Sequence, residues 1–359
     1  MRIDFHTHII PKEFPDFAEK YGGDRWPTLD QTCTCGANIM VAGKVFREVT
    51  DQVWCPHKRI QDMDREGVDI QVLSPIPVTF SYWADKEAAL EMAKLQNDFI
   101  ADTVKEYPKR FIGLGTVPLQ DTVVAIQEMD RCMHDLKLAG IEIGTNVNGE
   151  NLDSPHLTEF FKMAEEWNVP LFIHPWETMA KGRTPRHNFM YTIGMPSETA
   201  LAAASLIWSG VMEKFPNLKI CFAHGGGSFP YILSRLDKGW EVWPHLRLTT
   251  HPPSHYAKKF YFDSLNYDSL TMKYLIERFG IDKVIMGSDY PFLLREIAPG
   301  KVIDAMEDLS ESEKNLLLGK NALEFLNIKE TDYGTKADDS RGKAETIRSC
   351  VERCSAVSR

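Results

Sequence analysis

No run of apolar residues in this chain approaches the roughly 18 that a membrane-spanning helix needs. The N-terminus, Met1-Arg-Ile-Asp-Phe5, reads as a strand; it lacks the apolar stretch of roughly 7–15 residues and the cleavage site of a secretory signal. Positive charge is in deficit: 41 Lys and Arg against 51 Asp and Glu leave a net charge of −10. Nucleic acid and acidic membrane surfaces are therefore disfavoured partners, and an anionic ligand must be met by a few local cations against the global field. Cysteine is sparse and odd in number: Cys33, Cys35, Cys55, Cys132, Cys221, Cys350 and Cys354. Their spacing does not make a secreted disulfide framework. Cys33-x-Cys35, with Cys55 further on, lacks the matching second pair of a zinc knuckle. The expected setting is a reducing cytoplasm. Two common catalytic signatures are also missing, the Walker A loop and the G-x-S-x-G elbow. Gly225-Gly226-Gly227 lacks the G-x-G-x-x-G spacing of a dinucleotide loop.

What the sequence does contain is enough apolar residue, 43% of 359, to fill a large core. Eight short apolar runs alternate with longer amphipathic stretches. They are Arg2–His6, Asp69–Ser74, Phe111–Val117, Ile141–Gly144, Leu171–His174, Lys219–His224, Phe260–Asp263 and Lys283–Gly287. Most are nearly continuous in hydrophobic residues, as parallel strands buried on both faces are. The helical patterns between them include Lys86–Tyr107, Thr122–Leu136, Leu157–Trp167, Glu198–Phe215 and Ser269–Phe279. Eight βα repeats predict an α/β fold of the (β/α)8 TIM-barrel class over residues 1–328. Residues 11–55 are a long insertion after strand one, with strand character at Lys44–Val49, and are expected to form a small flap over the barrel mouth. Extra C-terminal helices are expected at Lys301–Leu309 and Glu311–Leu326, the second opened by a capping box at Ser310-x-x-Glu313. Residues 329–359 turn polar and are expected to be a disordered tail.

Barrel enzymes place their chemistry at the C-terminal ends of the strands. Strand one runs into His6-Thr7-His8, strand five into His174-Pro175-Trp176, strand six into His224-Gly225-Gly226-Gly227, and strand eight into Ser288-Asp289-Tyr290-Pro291. Side chains alternate along a strand, so His6 and His8 can face one ion together. Imidazole suits zinc and other borderline metals, and Asp289 can add an oxygen ligand. Each element has a plainer reading by itself. A lone H-x-H is more often core or surface histidine, His174 can cap a strand, the triple glycine can be a tight turn, and Asp289 can be a helix cap. Their coincidence at four strand ends favours a metal centre.

These strand ends resemble the metal-dependent amidohydrolase superfamily. The segments Asp4-Phe-His-Thr-His-Ile-Ile-Pro-Lys-Glu13, Gly43-Lys-Val-Phe-Arg47, Phe80-Ser-Tyr-Trp-Ala84, Gly113-Leu-Gly-Thr116, Gly194-Met-Pro196, Phe215-Pro216, Phe222-Ala-His-Gly-Gly-Gly227 and Gly287-Ser-Asp-Tyr-Pro-Phe292 are similar to its decarboxylase branch. The resemblance implies one zinc per chain, held by His6, His8, His174 and Asp289, and His224 as the acid/base residue beside it. It implies Arg47 and Arg235 as partners for the carboxylates of a small dicarboxylate substrate. Arg235 would come from the neighbouring subunit of a homodimer. It also implies a non-oxidative decarboxylation in tryptophan catabolism. Tyr191 stands where related enzymes carry a Trp against the substrate, which keeps an aromatic face and adds a hydroxyl. The alternatives are a sibling decarboxylase of a hydroxybenzoate-type acid, a hydrolase with Glu142 as a bridging ligand, and a non-catalytic barrel.

Overall fold

The computed structural model describes residues 1–33 and 35–333. Eight parallel strands follow one another in chain order around a single sheet. They are β1 (Ile3–Ile9), β2 (Ile70–Pro75), β3 (Phe111–Thr116), β4 (Gly140–Gly144), β5 (Leu171–His174), β6 (Ile220–Phe222), β7 (Tyr261–Asp263) and β8 (Val284–Ile285). The ring closes between the segment after β8 and β1. Phe5 N–H donates to Met286 O (2.9 Å), Asp289 N–H to His6 O (2.8 Å) and His8 N–H to Tyr290 O (2.8 Å), with a parallel bridge between Thr7 and Tyr290. The expected (β/α)8 barrel is present, and every expected strand falls on an observed one.

β1 carries a detail that hydrophobic patterning alone does not give. Asp4 pairs with Gln71 but Thr7 pairs with Leu73, so β1 spends one residue more than β2 over this stretch. Such a bulge reverses the alternation of side chains. Below it Ile3 and Phe5 enter the barrel interior, where Phe5 meets Phe172 and Phe325 edge-on. Above it His6 and His8 face the mouth, and Thr7 turns outward to the Arg59 guanidinium. The strand also runs three residues past the expected end at His6. The floor is sealed by the Asn321–Phe325 helix, through Leu323 and Phe325.

Helices wrap the outside, burying one stripe each. In Lys86–Glu106 the buried positions are Ala88, Ala89, Met92, Ala93, Gln96, Asn97, Ile100 and Thr103, a 3.6-residue repeat. Ser269–Phe279 has the expected bounds, because Asp268 accepts the Leu270 and Thr271 N–H groups and fixes its start. Several helical stretches are more broken than their patterns suggest, Thr122–Leu136 among them, which is α-helical to Asp130 and then a π turn over Arg131–Asp135. Glu198–Phe215 is covered by Met195–Trp208 and Val211–Lys214, parted at Gly210 in the left-handed region. Lys301–Leu309 is helical only to Asp304. Glu311–Leu326 passes through a wide π turn at Leu316–Lys320, although the Ser310/Glu313 capping box forms.

The insertion is more regular than expected. Strands Thr28–Cys33, Gly36–Val41 and Lys44–Thr50 form an antiparallel sheet, where only the last had a strand signature. Thr28–Cys33 is polar and almost wholly exposed, so hydrophobic patterning could not reveal it. Ala37 and Ile39 pack on Ile10, Val53, Trp54, Ile76 and Val78, seating the flap on the loops after β1 and β2. Of the expected tail 329–359, Glu330–Tyr333 forms a turn docked on the barrel floor, where Lys109 Nζ donates to Asp332 O. Residues 334–359 lie outside the described residues. Among the described residues, no helix is long and apolar enough to cross a membrane.

Candidate metal centre

Four imidazoles and one carboxylate meet at the mouth. His6 Nε2 and His8 Nε2 are 3.0 Å apart. Asp289 Oδ1 lies 3.5 Å from the first and 3.3 Å from the second. The His174 ring centroid is 5.1 Å from that of His6 and 4.9 Å from that of His8. His224 stands one step further out, with Nε2 4.0 Å from the other carboxylate oxygen, Asp289 Oδ2. Ligand atoms of His6, His174, His224 and Asp289 all lie within 4.8 Å of one another. All five predicted strand-end residues are thus brought together.

These groups fit a cation. His6 Nδ1 is 2.6 Å from Asp263 Oδ2, and His8 Nδ1 is 2.8 Å from Pro75 O. Each outer nitrogen therefore carries the proton, which leaves the two Nε2 lone pairs facing each other. Buried polar atoms rarely lack partners, yet His174 Nε2 has none among the described residues. Tetrahedral zinc with bonds of about 2.0–2.1 Å separates its ligand atoms by about 3.3 Å. The spacings among His6, His8 and Asp289 Oδ1 bracket that value. Burial pushes His8 down to about 4, and it lowers His174 and His224 as well, so all three favour the neutral, ligating form. Burial opposes ionisation of Asp289, but the His8 and His6 rings outweigh it and hold the carboxyl at about 2. Burial likewise opposes charge on His6, and the Asp263 carboxylate reverses the balance upward.

Asp263, at the end of β7, is the residue that sequence reasoning missed. It is fully buried and accepts from His6, from the His224 and Gly225 backbone N–H groups (2.8 Å each) and from Leu265 N–H (3.0 Å). One carboxylate therefore orients a candidate ligand and shapes the turn that carries His224. Its signal was an Asp closing a predicted strand, like Asp289 after strand eight. Glu142 is also close, but behind the centre: its Oε1 lies 3.8 Å from His8 Nδ1, on the far side of that ring. Burial raises its carboxyl well above the ordinary range.

The centre opens into a cavity of about 300 Å³. Arg47 reaches it from the flap strand Lys44–Thr50, and Tyr191 from the turn Met190–Gly194. The Arg47 guanidinium lies 3.9 Å from the Phe292 ring centroid and 5.2 Å from that of Tyr191. It makes no ion pair with a described residue, so its donors are available to a ligand. Trp176 of the strand-five end also lines the cavity, as do Asn266 and Tyr267, which carried no sequence signal. Arg235 does not line it. It sits on the exposed side of the Phe229–Val242 helix.

Known proteins resemble this chain along most of its length. The amidohydrolase family model matches residues 3–328. The 2-amino-3-carboxymuconate-6-semialdehyde decarboxylase of Dictyostelium discoideum is 48% identical over 93% of both chains. That of Caenorhabditis elegans is 33% identical over 92% of this chain and 95% of its own. The crystal structure of 5-carboxyvanillate decarboxylase from Sphingomonas paucimobilis superposes with a TM-score of 0.78 at 26% identity, over 91% of this chain and 99% of that one. A barrel whose strand ends gather His6, His8, His174, His224 and Asp289, matched along nearly its whole length, belongs to the amidohydrolase family.

Proposed function

We propose that this chain removes carbon dioxide, without oxidation, from 2-amino-3-carboxymuconate 6-semialdehyde, giving 2-aminomuconate 6-semialdehyde in the kynurenine branch of tryptophan catabolism. The observation that carries the reading is Arg47, an arginine without a carboxylate partner among the described residues, in the cavity that opens on the His/Asp cluster. Guanidinium offers a planar fork to a carboxylate. The 48% identity to the Dictyostelium enzyme of that name supports the same substrate.

In this reading His6, His8, His174 and Asp289 hold one zinc ion. Zinc there would lower the pKa of a water and polarise a bound oxygen. Asp263 fixes the His6 ring and the His224 turn. Arg47, and Arg235 of a second subunit in a homodimer, bind the two carboxylates, while Tyr191 covers one face of the substrate. His224 moves the proton. It takes one from the attacking water, and the hydroxide adds to the carbon next to the one bearing the carboxylate. His224 returns the proton to the carboxylate-bearing carbon, which becomes tetrahedral; carbon dioxide then leaves, and the electron pair of the broken bond re-forms the double bond and expels the hydroxide. Direct protonation at the same carbon uses the same residue. A mono-acid of the hydroxybenzoate type is the second reading, favoured by Tyr191 and by the 28% identity to the gamma-resorcylate decarboxylase of Rhizobium radiobacter. It would not need both arginines.

The test is metal analysis with a carbon dioxide release assay on the semialdehyde and on a hydroxybenzoate. His224→Ala should keep the metal and lose turnover by about 100-fold or more, whereas Asp289→Ala should weaken metal retention. Full activity in His224→Ala would remove its assigned role. Turnover of the mono-acid alone would hand the site to the second reading.

A further inference from the structure

Two thiols stand apart from the barrel chemistry, at the end of the flap hairpin where Cys33 pairs with Gly36. Cys33 and Cys35 are both exposed, with their sulfurs 3.6 Å apart. Cys132 and Cys221 are fully buried, and burial raises both thiols well above the ordinary range, so they are poor nucleophiles. We propose that Cys33 and Cys35 form a reversible thiol–disulfide site that reacts with small-molecule disulfides and closes into a disulfide within the hairpin.

The geometry gives the two sulfurs different parts. The Cys35 backbone N–H, the Cys35 thiol, the Thr32 hydroxyl and the Gly36 N–H all serve Cys33 Sγ, and they lower its pKa, the Cys35 N–H most. Cys35 is raised, chiefly by Cys33. Cys33 is therefore the attacking thiolate and Cys35 the resolving thiol. Glycine at 36 leaves room for this: a Cβ there would lie 3.1 Å from Cys33 Sγ and 3.2 Å from Thr32 Oγ1. The sulfur can thus sit against the backbone of the returning strand. The same hairpin end is tied to the Arg47 strand, because Asp51 N–H donates to Cys35 O (3.0 Å) and Gly36 pairs with Thr50.

The exchange balances in two steps. Cys33 thiolate attacks one sulfur of RSSR. That S–S bond breaks, and RS⁻ leaves and takes up the proton that Cys33 released. Cys35, deprotonated in turn, attacks Cys33 Sγ. The mixed disulfide breaks, and a second RSH leaves with the Cys35 proton. Two electrons pass from the protein dithiol to RSSR, which ends as two thiols.

The experiment is peptide mapping of the full chain, with its metal, after incubation with oxidised glutathione. The expected result is loss of two hydrogens from the peptide that holds both residues, restored by reduced glutathione. Cys35→Ser should stop at one stable mixed disulfide on Cys33, and Cys33→Ser should react much more slowly. Two persistent mixed disulfides on the native chain, or linkage of either residue to another cysteine, would overturn the proposal. The mass readout does not depend on what the barrel pocket turns over. Retention of metal by both variants shows that the thiols act outside the centre, and loss of metal in either would overturn that separation.

Discussion

At the scale of single residues, the candidate metal centre depends on carboxylates and carbonyls that stand behind its imidazoles. Asp263 gives one oxygen to His6 Nδ1 and the His224 N–H, and the other to the Gly225 and Leu265 N–H groups. Groups that orient a ligating imidazole raise its basicity and fix its tautomer. Asp263→Asn keeps the shape but can place an amide N–H against the His6 nitrogen. Metal affinity should fall about 10–100-fold, with the fold retained by circular dichroism. Competition against a chelator of known affinity reads this, and an unchanged affinity would show that His6 needs no such partner. Arg59 plays a similar part for the backbone. It is fully buried and donates to His8 O (2.6 Å), Gln52 O (3.1 Å), Thr7 Oγ1 (2.9 Å) and Gln71 Oε1 (3.0 Å). It therefore ties the H-x-H segment to the base of the flap.

At the scale of elements, the turn after β6 shows why the triple glycine is there. His224, Gly225, Gly226 and Gly227 all have positive φ, from 56° to 77°. A side chain at Gly227 would land on the Pro196 carbonyl, and Gly227 also has ψ −127°, a region almost closed to other residues. Gly149 has φ 86°, but a Cβ added there would meet nothing within 4 Å. Gly227→Ala should therefore cost several times more stability in urea than Gly149→Ala, for which about 1–2 kcal/mol is expected from the left-handed backbone alone. Equal costs would mean that the turn relaxes away from Pro196. The helix Ser269–Phe279 gives a pH-dependent case. Asp268 is held below its ordinary range, first by the Thr271 hydroxyl and then by the Thr271 and Leu270 N–H groups. A depressed carboxylate stabilises the fold above its unfolded pKa, and the gain fades as pH falls through the folded value. Asn caps equally well without titrating. The native chain should lose stability relative to Asp268→Asn only below about pH 4. A difference that is flat with pH would deny the cap its charge.

At the scale of the whole molecule, the position of Arg235 decides whether one chain suffices. Arg235 is exposed and does not line its own chain's cavity, while Arg47 does. If a homodimer lends Arg235 across the interface, Arg47→Ala and Arg235→Ala are each inactive alone but complement each other. Mixed and re-associated, they should recover about a quarter of native turnover, because half the dimers are hybrid and each hybrid has one intact site. Absence of recovery in dimers shown to have exchanged would confine the site to one chain.

The sequence by itself determined the number and order of the barrel strands, because parallel strands buried on both faces must be written as apolar runs. It also determined which strand ends carry imidazole and carboxylate, since H-x-H, His174, His224 and Asp289 are visible as residues. It placed Ser269–Phe279 to the residue, because that helix is capped by its immediate neighbour. The tertiary structure decided what depends on contacts across the ring. The bulge that turns His6 and His8 inward exists only in register with β2. Asp263 becomes a partner of His6 only when β7 and β1 are brought together across 257 positions of sequence. The polar flap strand Thr28–Cys33 becomes a strand only by pairing with its neighbour. Short-range chemistry is written locally and can be read locally, whereas register and long-range hydrogen bonds are properties of the closed barrel.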